Sequence, residues 1–357
     1  MDKLHVNLGK DSYDITVERG LLGRMGPLVR QALPGAEKIA VVTDDVVDGL
    51  YGARFEAALR GAGYDVRRIA VPHGERSKTL AVLGDVLEAM SAFGMTRSDA
   101  VATLSGGVPG DLGGFAAAVY LRGIPFVQVP TTILAQIDSS VGGKVAVDLP
   151  SGKNLAGNFY QPKAVLIDPD LVRTLDARYV HDGMAEAVKY GCIRSASLFS
   201  LYETLRTDED IFEALPDIIR ECCRIKAELV EEDERDNGAR MLLNFGHTIG
   251  HAVEREYRYE TYTHGEAVAA GMALLTRRTE AMGLTEAGTA DRIERVLRAL
   301  RLPVSVDAPA AALLPHIAHD KKKRGQTITF VALRRIGESF LLPVEGARIS
   351  DFVSTGA

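Results

Sequence analysis

Three of the eight histidines, His247, His251 and His264, fall within eighteen residues, in the stretches NFGHTIGHAVE and THGEAV. His247 and His251 are four apart, so on a helix they share a face, a spacing that suits a metal ion held by imidazole nitrogens. The same spacing also arises in core or surface positions that bind nothing. His264 enters another helical pattern two residues ahead of Glu266, which makes a metal a candidate, and Glu186 in MAEAVKYG is a candidate further donor. A second stretch with chemical potential is SGGVPGD at 105–111, between the strand-like VATL and the helix-like GGFAAAVYL. Glycines at such a junction let backbone N–H groups approach a phosphate, and the helix N-terminus adds positive potential. Pro109 suits a first helical turn, where no N–H is needed. The stretch is not the GxGxxG fingerprint, and a tight strand–helix turn would look the same.

Polar residues also interrupt apolar patterns repeatedly: Asp138 and Lys144 in QIDSSVGGK, Lys153 and Asn154 in SGKN, then Lys189, Lys226, Arg240 and Asn244. Several cations beside glycine-rich turns suggest a pocket for a multiply anionic small molecule, because Lys and Arg neutralise carboxylate and phosphate. The run DKKKRG at 320–325 reads, by itself, as a solvated charged loop.

The elements that must position these groups change character near residue 170. Before it, β-rich runs at 5–8, 13–17, 38–43, 66–71, 100–104, 126–129 and 164–167 alternate with amphipathic stretches such as 46–62 and 77–93. That alternation implies crossover units and a mostly parallel sheet, with ligands expected at the strand ends, where IAVVTDD finishes on carboxylates. After it, 180–193, 210–232, 241–256, 265–282 and 290–300 carry apolar residues at helical spacing. Short β-like runs at 327–331 and 339–342, with a turn at 334–337, close the chain. The expected organisation is α/β: a Rossmann-like nucleotide-binding domain at 1–170, a mainly α-helical domain at 171–357, and the active site in the cleft between them.

Composition narrows the partners. The 357 residues carry a net charge of −6, only 6% aromatics and no Trp, so there is no sequence-wide basic field for nucleic acid and few platforms for stacking bases. No apolar run approaches the ~18–20 residues of a membrane span, and the first residues show no apolar targeting core. Cys192, Cys222 and Cys223 are odd in number, two of them adjacent, without CxxC spacing. They read as small core residues of a cytoplasmic protein rather than a disulfide framework.

Taken in order, VTDD, PHGERSK, GGVPGD, YLRG, QVPTTILAQIDSSVGGK, SGKNLAGNFYQP, MAEAVKYG, RMLLNFGHTIGHA, HGEAVAAGM and DKKKRG closely resemble the 3-dehydroquinate synthase family over nearly the whole chain. The resemblance implies a homodimer that uses NAD and a metal, normally zinc with cobalt as an alternative. It assigns the metal to Glu186, His247 and His264, and moves His251 to the substrate as a proton-handling group, unlike the spacing argument that paired it with His247. It implies NAD binding by Asp44, Glu75, Lys78, Gly106, Gly107, Asp111, Thr131, Thr132, Lys153 and Thr174, with Asp44 and Glu75 suited to ribose hydroxyls. Ser105 stands where the family usually has a third glycine, so weaker NAD binding at most is expected if that position needs φ > 0. The implied substrate is 3-deoxy-D-arabino-heptulosonate 7-phosphate, a sugar acid phosphate. Its carboxylate would meet Lys226 and Arg240. Its phosphate would meet Lys144, Asn154, Asn244 and Lys321 or Lys322, with Arg122 arriving from a partner subunit. Asp138, Lys189 and His251 would surround the ring hydroxyls. The implied reaction is transient oxidation, phosphate elimination, re-reduction, ring opening and intramolecular aldol closure, with no net redox change.

Three rival readings remain at this point. Other sugar phosphate cyclases share fold, NAD and metal, but a substrate carboxylate, and hence the Lys226–Arg240 pair, favours dehydroquinate formation. A metal-dependent NAD alcohol dehydrogenase would produce net NADH and would not need so many anion-binding residues. A catalytically dead NAD-binding protein has only Ser105 in its support.

Overall fold

The computed structural model describes residues 2–236, 238–318 and 327–353. Its central strands are continuous apolar runs because parallel strands are covered on both faces. Ala100–Ser105 and Ala164–Ile167 are buried at every position. In chain order the strands of the large sheet are β1 (Asp2–Val6), β2 (Tyr13–Val17), β3 (Lys38–Asp44), β4 (Asp65–Val71), β5 (Ala100–Ser105) and β6 (Phe126–Pro130). A separate hairpin follows, β7 (Lys144–Leu149) with β8 (Gly152–Phe159), and then β9 (Ala164–Ile167). The seven-stranded sheet has the order β1-β2-β9-β6-β5-β3-β4, parallel except for the β1–β2 pair. Strand β1 begins three residues and ends two residues earlier than expected, because it pairs antiparallel with β2 in the register Val6↔Tyr13 and the chain then turns through a 3-10 segment at Gly9–Asp11.

The helices α1 (Met25–Ala32), α2 (Asp45–Val47), α3 (Ala53–Gly61), α4 (Leu80–Ala92) and α5 (Gly107–Val119) connect these strands. A π-helical turn at Asp48–Gly52 joins α2 to α3, so the stretch expected as one helix at 46–62 is helical but not uniform. Leu22, Val29, Phe55 and Leu59 pack on one face of the sheet, and Val86, Met90, Leu112 and Phe126 belong to a second cluster with Val145 and Val147 of β7. Each such buried side chain contributes about 1.5–3 kcal/mol relative to exposure. Beyond β3 the chain runs outward to β4, then returns to β5 on the other side of β3. This reversal opens a crevice at the carboxyl ends of β3 and β5, where α/β sheets bind ligands.

The remaining elements are α6 (Ala177–Arg194), α7 (Ala196–Tyr202), α8 (Asp208–Glu232), α9 (His247–Glu256), α10 (His264–Ala281), α11 (Thr289–Ala299), α12 (Ala310–Ala318), the hairpin β10 (Thr327–Arg335) and β11 (Glu338–Glu345), and α13 (Ser350–Val353). Two compact units result: Met1–Leu175 with Phe212–Arg235, and Asp176–Ile211 with Asp236–Ala357. Helix α6 is the centre of the second unit, with fourteen of its eighteen residues buried. The helix expected at 241–256 is broken: a 3-10 turn covers Ala239–Asn244, and Gly246, at φ +80°, starts α9 anew. Among the described residues no helix is long and apolar enough to cross a membrane.

Candidate active site

The first unit gathers the residues the sequence singled out for a nucleotide at the crevice just described. Asp44 ends β3 and caps α2, its Oδ1 accepting from the N–H groups of Val46 (3.1 Å) and Val47 (2.9 Å). Burial pushes its carboxyl above the ordinary range, against those two N–H groups, which pull it down. After β5, Gly106 caps α5 and Gly107 begins it. A Cβ on Gly106 would stand 2.9 Å from Thr132 Cγ2, so the turn presses against the segment that follows β6. Ser105 is the last residue of β5 and is absent from the positive-φ positions; its buried hydroxyl donates to the Gly106 carbonyl at 2.9 Å. The strain that a residue other than glycine would suffer at φ > 0 therefore does not arise at this position. Thr131 follows β6 with its N–H on the Ser105 carbonyl, and its buried hydroxyl has no hydrogen-bond partner among the described residues, an orphaned group that a ligand would satisfy.

A polar cluster flanks this edge. Lys78 is buried, its ammonium donating to Asp111 Oδ2 and Asn154 Oδ1, both at 2.6 Å. Burial opposes its charge, but the carboxylates of Asp111, Glu75 and Asp148 together outweigh burial and hold the ammonium above its usual range. Lys153 stands 3.4 Å from Glu75. Asn154 takes φ +56° in the hairpin, where its N–H donates to Asp148 Oδ1 at 2.7 Å. Asn154 thus stands with Lys78 and Asp111. Thr174 closes a 3-10 turn and shares a 2.7 Å hydrogen bond with the Tyr51 hydroxyl. Asp138 and Lys226 form an ion pair, and the Lys226 ammonium also donates to the Asp138 carbonyl at 2.6 Å. Lys144 opens β7 and is exposed. Arg122 ends the 3-10 turn after α5 at φ +70°.

In the second unit, burying a Glu and a Lys three residues apart in α6 requires that their charges be compensated. Glu186 and Lys189 pair with each other, and both side chains are 2% exposed. Glu186 Oε1 also lies 3.1 Å from His247 Nε2 and 3.2 Å from His264 Nε2. Helices α9 and α10 bring the two rings together by close backbone approach: a Cβ on Gly246 would stand 2.7 Å from the Val268 carbonyl, and one on Gly271 would stand 2.2 Å from the Gly246 carbonyl. The start of α10 is fixed to α6 through Asp182, whose Oδ1 accepts from the Gly265 N–H at 2.6 Å. His247 Nδ1 donates to the Phe245 carbonyl at 3.1 Å, and His264 Nδ1 to Glu254 Oε1 at 3.4 Å. Carbonyl and carboxylate only accept, so Nδ1 carries the proton in both bonds, and a cation held with Glu186 would meet both rings through Nε2.

Electrostatics match this geometry. Burial works against charge on Glu186, yet the Lys189 ammonium and the imidazoles hold its carboxyl well below the ordinary range. Burial keeps His247 below its ordinary value and hence neutral. Burial also opposes charge on His264, but the carboxylates of Glu186 and Glu254 prevail and push it up to about 10. A buried carboxylate and two partly buried imidazoles whose ligand atoms lie within 4.8 Å of one another, with a positive charge favoured among them, are a donor set that fits a divalent cation.

His251 sits one turn along α9, its ring centroid 5.5 Å from that of His247 and 6.2 Å from that of His264. Its ligand atoms group with Glu254 and His264 rather than with Glu186 and His247. Arg240 and Asn244 lie on the 3-10 turn ahead of α9; Arg240 is 2% exposed, and Asn244 Nδ2 donates to the Met241 carbonyl at 3.0 Å. Lys321 and Lys322 lie outside the described residues. Sequence reasoning missed Asp182 and Glu254. Asp182 precedes Glu186 by one helical turn, and Glu254 extends the His247–His251 face at the seventh position, so helical spacing carried a signal for both.

Comparison with known proteins places this geometry in a family. Residues 68–182 match the family described as 3-dehydroquinate synthase N-terminal, and residues 183–323 match 3-dehydroquinate synthase C-terminal. The 3-dehydroquinate synthase of Clostridium acetobutylicum is 49% identical over 346 residues, covering 97% of each chain. Among solved structures, a 2-epi-5-epi-valiolone synthase from Streptomyces hygroscopicus with NAD+ and Zn2+ bound superposes with a TM-score of 0.86, at 30% identity over 96% of each chain. A 2-deoxy-scyllo-inosose synthase complexed with carbaglucose-6-phosphate, NAD+ and Co2+ gives a TM-score of 0.85, at 25% identity over the full length of both. With both halves matched in order and near-complete coverage of curated relatives, the chain belongs to the 3-dehydroquinate synthase family.

Proposed function

We propose that the chain acts as a 3-dehydroquinate synthase, converting 3-deoxy-D-arabino-heptulosonate 7-phosphate to 3-dehydroquinate and phosphate in the shikimate pathway. The observation that carries this reading is the Glu186–His247–His264 donor set in a chain 49% identical to a curated synthase. The cofactors of the reading are NAD and a divalent cation, zinc or cobalt; the two cyclases named above hold NAD+ with Zn2+ and with Co2+. When bound, they supply reversible redox chemistry and Lewis acidity at the substrate hydroxyls.

The chain's own residues do the rest. Glu186, His247 and His264 hold the cation and leave further positions for substrate oxygens. Asp44 and Glu75 accept the ribose hydroxyls of NAD, while the turn at Gly106 and Gly107, with the N-terminus of α5, takes its pyrophosphate. Lys78, Asp111, Thr131, Thr132, Lys153 and Thr174 complete that site. Lys226 and Arg240 neutralise the substrate carboxylate. Lys144, Asn154, Asn244 and Lys321 or Lys322 receive the phosphate, with Arg122 of a second subunit, and so favour its departure. Asp138, Lys189 and His251 orient the ring hydroxyls, and the His251 imidazole handles their protons. The protein of this reading is a cytoplasmic homodimer. Three buried cysteines that form no disulfide among the described residues support a reducing compartment, and exposed Val119, Leu121, Leu155 and Phe159 in the first unit offer apolar surface to a partner.

The test is phosphate release from the heptulosonate phosphate, with NAD and zinc, while NADH absorbance is followed. Stoichiometric phosphate and dehydroquinate without net NADH is expected. Net NADH would instead indicate a dehydrogenase, and no phosphate would indicate a cyclase for another sugar phosphate. Glu186→Ala should lower bound zinc and abolish turnover; full metal content in that variant would overturn the metal assignment.

A further inference from the structure

We propose that Glu254 is a positioning residue for the metal centre, its carboxylate locking the His264 ring so that Nε2 faces Glu186. The inference rests on the reading above that Glu186, His247 and His264 hold the cation. Glu254 lies on α9 with a side chain 7% exposed, and its Oε1 meets His264 Nδ1, the ring nitrogen remote from Glu186, at 3.4 Å. Nε2 of the same ring is 3.2 Å from Glu186 Oε1. One imidazole therefore bridges two buried carboxylates, one through each nitrogen.

His247 provides the internal comparison. Its Nδ1 donates to the Phe245 carbonyl, a backbone acceptor that comes with the fold. The chain offers His264 a buried carboxylate instead, although an ionised group is costly to desolvate unless it is compensated. A carboxylate behind an imidazole fixes its tautomer and orientation and makes the remote nitrogen a stronger donor than a carbonyl would. Glu254 acts through His264, from the face of the ring turned away from Glu186. The same atoms allow one competing assignment, because His251, Glu254 and His264 also bring ligand atoms within 4.8 Å of one another and could hold a second cation.

The experiment uses the full chain stripped of metal. Zinc affinity is measured by competition with a chromophoric chelator, metal stoichiometry by elemental analysis, and the absorption of the cobalt-loaded form is recorded. Glu254→Ala should weaken zinc binding about 10–100-fold and shift the cobalt spectrum, with NAD affinity unchanged. Glu254→Gln, whose amide oxygen still accepts from Nδ1, should recover most of the affinity; it also keeps the proposal falsifiable should the alanine variant fail to fold. Affinities within twofold of the parent in both variants, while Glu186→Ala has lost its metal, would overturn the proposal and leave the metal assignment standing. Two metals per parent chain, one of them lost in Glu254→Ala, would overturn it in favour of a second cation site. Full zinc in Glu186→Ala would remove the metal reading and this proposal together.

Discussion

Replacing Lys78 by methionine tests whether the ion pair beside the crevice of the large sheet holds the first unit together. Lys78 is buried and Asp111 mostly so, with side chains 6% and 17% exposed and 2.6 Å between Lys78 Nζ and Asp111 Oδ2. At that separation the attraction is about 6 kcal/mol in an effective dielectric of about 20, against several kcal/mol of desolvation for each ion. The net value of the pair is therefore small, but removing one member leaves the other charged and buried, which costs about 3–5 kcal/mol. Lys78→Met strands Asp111 and also strips Asn154 Oδ1 of its donor. Asp111→Asn is milder, because an amide oxygen still accepts from the ammonium. Urea unfolding of Lys78→Met, Asp111→Asn and the double variant, followed by circular dichroism since the chain has no Trp, gives the coupling. We expect Lys78→Met to lose about 3–5 kcal/mol and the double variant to regain at least about 1.5 kcal/mol relative to the sum of the singles. A Lys78→Met cost below about 1 kcal/mol, or strict additivity, would refute the argument.

Gly246→Ala should be among the most damaging single-methyl changes, since it meets Met272 Cγ at 2.5 Å and the Val268 carbonyl at 2.7 Å while sitting at φ +80°. A loss of more than about 2 kcal/mol with reduced zinc content is expected, and a parent-like melting temperature would count against the tight packing of α9 on α10. Burial pushes the Cys223 thiol up to about 12 and Cys192 higher still, so neither forms thiolate as pH rises through 8–9, where an ordinary cysteine ionises. No cysteine of the native chain should react with a thiol reagent at pH 8, and all three should react in urea; one fast-reacting native thiol would contradict their burial. Arg240→Ala should weaken binding of the keto-sugar acid while sparing NAD, and equal loss of both would point to misfolding.

What the sequence revealed follows from what burial writes into it. The parallel strands were legible because both of their faces are covered, so β5 and β9 are apolar at nearly every position. The hairpin of β7 and β8 was not, because β8 is exposed or half-exposed throughout and its residues GKNLAGNF show no alternation to read. The break before α9 escaped for the opposite reason: apolar spacing continues through the 3-10 turn at Ala239–Asn244, and only the positive φ of Gly246 ends the register. Ser105 shows the limit of reading a glycine-rich turn by composition. The first place of SGG belongs to the strand, where extended backbone accepts any residue, so the substitution meets no conformational barrier.

The histidines show most sharply where local spacing stops deciding. An i,i+4 pair offers two ligands to one ion only if both rings can turn to a common point, and the helix does not control that. On α9 the His247 ring is fixed by the Phe245 carbonyl and aims Nε2 at Glu186, while the His251 ring stands at 89° to it. The partner that meets His247 comes instead from α10, delivered by backbone contacts at Gly246 and Gly271 and by the Asp182–Gly265 hydrogen bond. The contacts at Gly246 and Gly271 leave no periodic trace, because each depends on the absence of a side chain, and only the one-turn spacing of Asp182 from Glu186 hints at the third. Spacing thus identifies the helix that carries ligands, whereas glycines, caps and buried carboxylates in neighbouring helices select which of its histidines face one another. In this chain those selectors are Asp182, Gly246, Gly265, Gly271 and Glu254, and three of the five are glycines.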